Sequence, residues 1–367
     1  MSWNEILGHR NVLERFRRAA RKNRLASTYL FVGPPGIGKR TFALKLAQAL
    51  LCETQPESEL EPCGGCPGCA QVRAESHPDL IFLARPSDRA FIPLNLIIGD
   101  PNHRMQSGLC HDISLKPSRG KRKIAIIDDA DFFNVEGANA LLKTLEEPPP
   151  GSILILIGSS QQHQLPTIVS RSQVVHFQPL SNDEVQTLLE TRQLVEPETD
   201  LRALAVAAQG SIDRAVQLAD PEIWQFRQLL LNQLATLDPG QDDFAKTLND
   251  FVEQAGKDAA SRRNRFVDIG DLAIEFYQQV LRLADSCPSV ESDLTPFAQS
   301  AWERFAETYG DSAWAQQASA ACIERTMEMQ QAVRANAAAP GLIGCWLSDL
   351  GRLCRGELPW EIPTMQS

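Results

Sequence analysis

The chain has 367 residues, 43% of them hydrophobic and 22% charged, which is the composition of an ordinary globular protein of two or three domains. Its 46 acidic and 36 basic residues give a formal charge of −10, which argues against a protein that coats nucleic acid unaided. No run approaches about 18 consecutive apolar residues, and the N-terminus lacks the apolar core of a signal peptide. We therefore expect a cytoplasmic protein with no membrane partner.

Short apolar runs alternate with helical patterns over the first 180 residues. Five runs predict strands, each bounded by Gly, Pro, Asp or Ser: residues 30–32, 80–83, 124–127, 153–157 and 174–177. Runs without polar alternation favour strands that are buried on both faces, as in a parallel sheet covered by helices. The pattern predicts an α/β domain.

A glycine-rich loop follows the first predicted strand and leads into a helical pattern, which is the context of a phosphate-binding loop. The loop consists of Gly33, Pro34, Pro35, Gly36, Ile37, Gly38, Lys39, Arg40 and Thr41. Its glycines let backbone N–H groups converge on phosphate oxygens, and Lys39 would reach the β and γ phosphates of a nucleotide such as ATP. A plain glycine-rich turn is the alternative.

One position departs from the phosphate-loop motif. Arg40 stands where the motif has Ser or Thr, whose hydroxyl coordinates Mg²⁺. Thr41 comes one place later, and one step along a helix turns a side chain by about 100°. The loop is therefore compatible with ATP binding, whereas Mg²⁺-assisted hydrolysis is in doubt.

Four of the nine cysteines cluster directly after this helix: Cys52, Cys63, Cys66 and Cys69. Two-residue gaps between the last three let thiolates converge on one ion, and four thiolates favour a structural, tetrahedral Zn²⁺ site. An iron–sulfur cluster and unliganded thiols are the alternatives. The other cysteines are expected to be small buried residues: Cys110, Cys287, Cys322, Cys345 and Cys354.

The third predicted strand ends in a pair of carboxylates, Asp128 and Asp129. Because the carboxyl ends of parallel strands meet at one edge of the sheet, we expect this pair beside the phosphate loop. Asp128 would hold Mg²⁺ there. Asp129 stands where a glutamate would polarise the attacking water, and its side chain is one methylene shorter. An acidic turn after a core strand is the alternative.

The remaining chain predicts helices only. Ser181 opens a capping-box pattern, so residues 181–220 are expected to form a small helical unit after a first domain of residues 1–180. Amphipathic patterns in residues 221–367 predict an all-α domain. A stretch with two prolines and several polar residues, 286–296, predicts an exposed loop.

A phosphate loop followed by a four-cysteine insert resembles the AAA+ subunits of the bacterial DNA polymerase III clamp loader. The segment 138–149, ANALLKTLEEPP, is very similar to the signature helix of that family, and Ser170-Arg171-Ser172 stands where the family has Ser-Arg-Cys. The resemblance covers about residues 3–220, and the remainder matches as a helical tail. It implies an α/β P-loop (AAA+) domain, a small helical lid and an all-α collar used for oligomerisation.

Within that family the resemblance favours a non-motor subunit. The ATP-hydrolysing gamma/tau motor subunit has an intact phosphate loop, an Asp-Glu pair and a sensor arginine. This chain has Arg40, Asp129 and Asp213 at those positions. Its own ATPase is therefore expected to be absent or weak. The competing hypothesis is a self-sufficient motor, either a gamma/tau-type subunit or another AAA+ DNA motor.

The resemblance gives Arg171 the most important role. It would act as an arginine finger in the ATP site of an adjacent motor subunit, where its planar, permanently charged fork suits phosphate oxygens. The alternative is that Arg171 only pairs with a surface carboxylate. The partners implied are the gamma/tau and delta subunits of the loader, the sliding clamp, and primer–template DNA within the complex.

Two N-terminal features each allow two interpretations. A run of basic residues is interpreted as a solvated helix face, with contacts to DNA phosphates or a partner as the alternative: Arg10, Arg15, Arg17, Arg18, Arg21, Lys22 and Arg24. Trp3 lies in a segment that, in the family, approaches the adenine, and plain packing is an equal interpretation.

Overall fold

The computed structural model describes residues 3, 6–86, 89, 91–102, 104–196, 199–240, 243–256, 258–284, 295–309, 312–335 and 337–357. The chain divides into two compact units, residues 1–216 and 217–367. Among the described residues no helix is both long and apolar enough to cross a bilayer.

The described residues of the first unit form five strands: β1 Thr28–Val32, β2 Leu80–Leu83, β3 Lys123–Ile127, β4 Ser152–Gly158 and β5 Gln173–His176. They form one sheet in the order β2-β3-β4-β1-β5, and each neighbouring pair is parallel. Every residue of β1, β3 and β4 is buried, which agrees with apolar runs that lack alternation. All five strands fall within two residues of the predicted positions.

Helices lie before, between and after these strands: α1 Arg10–Arg21, α2 Lys39–Leu50, α3 Pro67–Arg73, α4 Leu94–Ile98, α5 Leu109–Ser114, α6 Val135–Glu146, α7 Pro166–Val169, α8 Asn182–Thr191, α9 Leu201–Ala208 and α10 Ile212–Leu218. Two 3₁₀ turns span Glu57–Glu59 and Ala130–Phe132. Asn134 caps α6 by accepting a hydrogen bond from the N–H of Gly137 at 2.7 Å. The capping box expected at Ser181 is present at the start of α8.

The sheet separates two apolar cores. Phe31, Ile126 and Ile155 face a core that includes side chains of α1 and α2. Leu30 and Leu156 face the other core, which includes side chains of α4, α5 and α6. Alternate residues of one strand thus serve opposite cores, and the strand ends that carry the candidate site are held in place on both sides.

From residue 221 onward, the part of the chain that the structure describes contains helices and no strand: α11 Pro221–Leu234, α12 Phe244–Glu253, α13 Ala259–Ala284, α14 Thr295–Tyr309, α15 Ser312–Arg334 and α16 Ala339–Cys354. Their core is built around fully buried aromatic side chains, among them Phe276, Tyr277 and Trp346. The predicted fold class, a parallel α/β domain followed by a helical region, is confirmed. A separate lid at residues 181–220 stays a prediction.

Two predictions from the sequence concern the second unit: the burial of its cysteines and an exposed loop at 286–296. Cys345 is exposed, so the expectation that it is buried was wrong, whereas Cys322 and Cys354 are buried. Cys287 lies outside the described residues. The loop expected at 286–296 also lies outside them, except for 295 and 296, which begin α14.

Candidate functional site

The phosphate-loop segment connects the end of β1 to the start of α2. Its first glycine, Gly33, donates its N–H to the carbonyl of Ser159 at 3.1 Å, which ties the loop to the end of β4. A Cβ at Gly33 would lie 2.5 Å from the carbonyl oxygen of Phe177, so only glycine fits. Gly38 has a φ of +93° and directly precedes the helix. The segment has the strand–loop–helix arrangement that phosphate binding needs.

The loop lysine is folded back onto the loop. The ammonium of Lys39 donates to the carbonyls of Gly33 and Pro34 at 2.5 and 2.6 Å, and the side chain is buried. Burial lowers the pKa of Lys39. Three nearby carboxylates oppose that shift: Asp128, Asp131 and Asp213. The positive charge that would meet a nucleotide therefore sits among loop carbonyls and acids of the same chain.

A segment that we call the roof, residues 210–213, lies over the tip of the loop. The N–H of Ile212 donates to the carbonyl of Gly36 at 2.9 Å. Gly36 has a φ of +73°, and a Cβ built on it would lie 2.1 Å from the hydroxyl of Ser211 and 3.2 Å from a carboxylate oxygen of Asp213. The roof therefore touches the loop directly and places an acid beside it.

The predicted acidic pair stands at the end of β3. Asp128 is half-buried, and burial raises its pKa. Its carboxylate accepts a hydrogen bond from the N–H of Asp129 at 3.0 Å. Asp129 has a φ of +58° and begins the 3₁₀ turn Ala130–Phe132. The expectation that the pair lies at the sheet edge next to the loop agrees with the electrostatic contact between Asp128 and Lys39.

A third acid of this motif, Asp131, was not among the residues predicted for the site. Its carboxylate accepts hydrogen bonds from the N–H of Ser159 at 2.7 Å and from the side chain of Gln164. It thereby fixes the loop after β4 against the acidic motif. The sequence signal that could have identified Asp131 is its position two residues after Asp129, a predicted site residue.

Arg40 has its side-chain partners outside the loop. Its guanidinium forms an ion pair with Glu75 at 3.0 Å and lies 4.3 Å from the centre of the Phe82 ring in β2. Its charge still lowers the pKa of Asp128. Thr41 is exposed on α2. The chain thus has a cation, held by a carboxylate, at the sequence position of the missing hydroxyl.

The four clustered cysteines meet as the spacing indicates. The sulfurs of Cys52 and Cys66 are 3.9 Å apart, as are those of Cys63 and Cys69, and all four lie within 4.8 Å of one another. A tetrahedral zinc about 2.3 Å from each sulfur needs sulfurs about 3.8 Å apart, so the donor set fits this metal. A hydrogen bond with the Thr54 side chain is the largest effect that lowers the pKa of Cys63, to about 6.

Backbone N–H groups also point at these sulfurs. The N–H of Cys66 donates to Cys63 Sγ at 3.3 Å, and that of Cys69 donates to Cys66 Sγ at 3.4 Å. The side chain of Gln48, buried near the end of α2, donates to the carbonyl of Cys69 at 2.9 Å. The cysteine module is therefore anchored on the same helix that begins at the phosphate loop.

Trp3 is a packing residue in this structure. It is buried, its indole N–H donates to the carbonyl of Leu60 at 2.5 Å, and its ring lies 5.2 Å from that of Phe42. Beside it a cavity of about 200 Å³ is lined in part by His9 and Phe42. His9 hydrogen-bonds the carbonyl of Ile37 at 2.8 Å, and burial lowers its pKa.

Arg171 follows α7, just before the edge strand β5. Its Nε donates to a carboxylate oxygen of Glu146, at the end of α6, at 2.8 Å. Its Nη1 donates to the carbonyl of Thr167 and to the hydroxyl of Ser170, each at 3.1 Å. The side chain is 31% exposed and that of Glu146 is 49% exposed. The guanidinium lies at the surface, paired within its own chain as the alternative interpretation anticipated.

The basic run lies on the exposed side of α1 and just beyond it. Six of its members are exposed: Arg10, Arg15, Arg18, Arg21, Lys22 and Arg24. Within the described part of the chain none of these six forms an ion pair. Arg17 differs, because it is half-buried and pairs with Glu14 and with Glu61 of the cysteine module.

Residues 8–181 match a protein family described as "DNA polymerase III, delta subunit". The chain is 38% identical over 146 residues to DNA polymerase III subunit delta′ of Pseudomonas aeruginosa, covering 40% of this chain and 41% of that one. It is 31% identical over 208 residues to subunit delta′ of Escherichia coli, covering 57% and 59%.

Tau subunits of DNA polymerase III are similar to this chain as well. The chain is 28% identical over 315 residues to DNA polymerase III subunit tau of Bacillus subtilis, covering 80% of this chain and 52% of that one. The chain thus spans about half of the length of these three relatives.

Proposed function

We propose, from the resemblance of this chain to the delta-prime subunits of the bacterial DNA polymerase III clamp loader, that it is a non-motor AAA+ subunit of that loader. It completes the ring of subunits that places the sliding clamp on primed DNA during replication. The observation that supports this role is Arg40, which replaces the Mg²⁺-binding hydroxyl in an otherwise complete phosphate loop and pairs with Glu75.

Arg171 supplies the arginine finger in this proposal. An arginine that stabilises a neighbour's γ-phosphate must reach the protein surface and must give up its own partner. Arg171 is partly exposed, and its partner Glu146 is half-exposed. Because exposed ion pairs contribute only about 0–1 kcal/mol, exchange of Glu146 for a phosphate costs little. A finger supplied in trans adds about 10³–10⁵ to the rate at the site that it serves.

The chain's own loop retains the groups that hold phosphates. Backbone N–H groups of residues 33–39 and the ammonium of Lys39 would bind the β and γ phosphates of ATP. Asp128 is the residue at the sheet edge that would face Mg²⁺. With Arg40 in place of the hydroxyl, the pocket binds Mg²⁺ poorly and hydrolyses ATP slowly or not at all.

The four-cysteine module binds one structural Zn²⁺ through Cys52, Cys63, Cys66 and Cys69. Four thiolates leave no open position, so the metal would supply stability and no chemistry. The sulfur spacing and the two N–H···S hydrogen bonds support this assignment.

The partners in this proposal are the gamma/tau and delta subunits of the loader, the sliding clamp, and primer–template DNA within the assembled complex. The all-α second unit is the part that would act as the oligomerisation collar. The formal charge of −10 agrees with a protein that meets DNA only in the company of other subunits.

A motor subunit of the gamma/tau type is the second candidate. The observation in its favour is the Bacillus subtilis tau relative, which aligns with 80% of this chain. Arg40, Asp129 and Asp213 distinguish the two functions, since each replaces a residue that motor chemistry needs.

The test reconstitutes the loader with the gamma/tau and delta subunits and the clamp of the same organism. Clamp- and DNA-stimulated ATPase is compared for the unmodified chain and for Arg171→Ala, with Arg73→Ala as a matched control at an exposed arginine of the same unit. We expect several-fold lower ATPase with Arg171→Ala, an unchanged rate with Arg73→Ala, and full assembly with both. Unchanged ATPase in the assembled Arg171→Ala complex removes the finger. Brisk Mg²⁺-dependent ATP hydrolysis by the isolated chain establishes the motor instead.

A further inference from the structure

The roof residue Asp213 lies beside the tip of the phosphate loop. We propose that Asp213 sets the nucleotide affinity of this chain by repelling the β and γ phosphates from the loop. This inference rests on the proposed function, in which the chain keeps a phosphate loop but is not a motor. It explains why a chain that keeps a phosphate loop is not a motor: the nucleotide is repelled when it binds, before any hydrolysis step.

The geometry places the carboxylate beside Gly36, at the tip of the loop. From a Cβ built on Gly36, the Cβ of Asp213 is 3.0 Å away and its nearer carboxylate oxygen 3.2 Å away. The hydrogen bond from Ile212 N–H to the Gly36 carbonyl keeps this register. An anion that approaches the backbone N–H groups of the loop tip therefore meets a carboxylate within a few ångström.

The acid is also held in place. Ser211 caps the first turn of α10, because its hydroxyl accepts a hydrogen bond from the N–H of Arg214 at 3.3 Å. Gly210 has a φ of +82°, and its carbonyl accepts from the N–H of Leu180 at 3.2 Å. A Cβ at Gly210 would lie 2.5 Å from the carbonyl oxygen of Leu180, so only glycine fits in the turn that precedes α10.

The charges around Lys39 also support the proposal that Asp213 weakens phosphate binding. The ammonium that should attract phosphate is already compensated by Asp128, Asp131 and Asp213, and it is hydrogen-bonded to loop carbonyls. Asp128 and Asp131 belong to the acidic strand end, whereas Asp213 comes from the roof. Asp213 is exposed, so its charge lies at the surface beside the loop tip. Removing this one charge leaves the lysine, the loop and the acidic motif intact.

The experiment titrates the purified full-length chain with a fluorescent ATP analogue, and with ATP and AMP as competitors. Asp213→Asn and Asp213→Ser should each lower the Kd for ATP by about tenfold, the change expected for one nearby charge acting on a polyanion. Asp213→Glu retains the charge and should keep the weak binding. The affinity for AMP, which has no β or γ phosphate, should change less than twofold.

Asp183→Asn is the matched control, because it removes an exposed aspartate of the same unit at the start of α8. Circular dichroism and Tm measurements verify that each variant is folded. Two neutral variants, Asp213→Asn and Asp213→Ser, are used so that the test can still be made if one of them does not fold. An ATP Kd that is unchanged in both neutral variants, or an equal gain for AMP, overturns the proposal. That result leaves the Arg171→Ala experiment, and hence the proposed function, unaffected.

Discussion

Arg171 and Glu146 form an ion pair across 25 residues of sequence, with Nε of Arg171 2.8 Å from Oε1 of Glu146. Two further hydrogen bonds, to the carbonyl of Thr167 and the hydroxyl of Ser170, orient the same guanidinium. Because these partners lie at the surface, they orient the guanidinium group of Arg171 without burying it. A side chain in that state can change partner with little loss of folding free energy.

Replacing Glu146 by Gln should therefore have little effect on stability. We expect the free energy of unfolding, from urea denaturation, to fall by less than about 1 kcal/mol, as for other exposed pairs. In the reconstituted loader, Glu146→Gln should leave the ATPase rate unchanged, since Arg171, the proposed finger, is still present.

The matched control for that variant is Glu328→Gln, which breaks the exposed pair between Glu328 and Arg325 at 3.0 Å in the second unit. The two variants should lose similar amounts of stability. A loss above about 2 kcal/mol in Glu146→Gln alone would show that the pair anchors the fold, and Arg171 would then not be free to act as a finger.

The sheet could be predicted from the sequence because local pattern decides it. Residues 124–127 of β3 and 153–157 of β4 are consecutive apolar residues, and a strand buried on both faces needs such a run. The loop 33–41 and the four cysteines could be predicted for a similar reason. Their chemistry requires particular residue types at short, fixed spacing.

The partners of the site residues could not be predicted in the same way. Arg40 and Glu75 are 35 residues apart, and an ion pair between exposed side chains leaves no periodic signal in the sequence. The hydrogen bonds of the Lys39 ammonium to its own loop likewise depend on local geometry and on carboxylates from distant segments of the sequence. Cys345 was predicted to be buried from residue type alone, but its position on α16 exposes it.

Zinc should be present at about one ion per chain and should depend on Cys69. Cys69 is fully buried and connects the module to Gln48. Cys69→Ser should reduce the zinc measured by elemental analysis to near zero, and it should lower Tm by at least several degrees, because metal binding contributes folding free energy.

Cys345→Ser is the control for this prediction, since Cys345 is an exposed cysteine far along the sequence from the cluster. It should keep its zinc and its Tm. A purified, fully folded chain without metal, or one in which Cys69→Ser retains zinc, would exclude the four-thiolate site.

Stability should fall on mild acidification because of His9. Burial lowers the pKa of His9 in the folded state, so below the unfolded pKa of about 6.5 the unfolded chain binds the proton more readily. The free energy of unfolding is therefore highest above that pH and decreases as the pH falls through it. Each unit of depression contributes at most about 1.4 kcal/mol.

Urea unfolding between about pH 5.5 and 7.5 measures this slope. His9→Gln should reduce it, although His77, whose pKa burial also lowers, will leave a remainder. His176→Gln, at an exposed position of β5, is the matched histidine control. An identical slope in His9→Gln and in the unmodified chain would contradict the assignment.

Returning a hydroxyl to the phosphate loop should make nucleotide binding sensitive to magnesium. In Arg40→Thr the hydroxyl takes the position that holds Mg²⁺ in phosphate loops, with Asp128 directly after β3 at the same edge of the sheet. We expect the ratio of the ATP Kd without and with Mg²⁺ to rise at least about fivefold, which corresponds to about 1 kcal/mol. Loss of the contacts with Glu75 and Phe82 should destabilise the chain by about 1 kcal/mol or less.

Glu75→Gln separates the two effects of the Arg40 substitution. It releases the guanidinium from its ion pair but supplies no hydroxyl, so the Mg²⁺ ratio should stay that of the unmodified chain. Adding Asp129→Glu to Arg40→Thr should bring measurable ATP turnover, because the longer carboxylate can then polarise water. If Arg40→Thr binds ATP without regard to Mg²⁺, the hydroxyl is not what this pocket lacks. The acids around Lys39 would then be the remaining explanation for the weak hydrolysis that we propose.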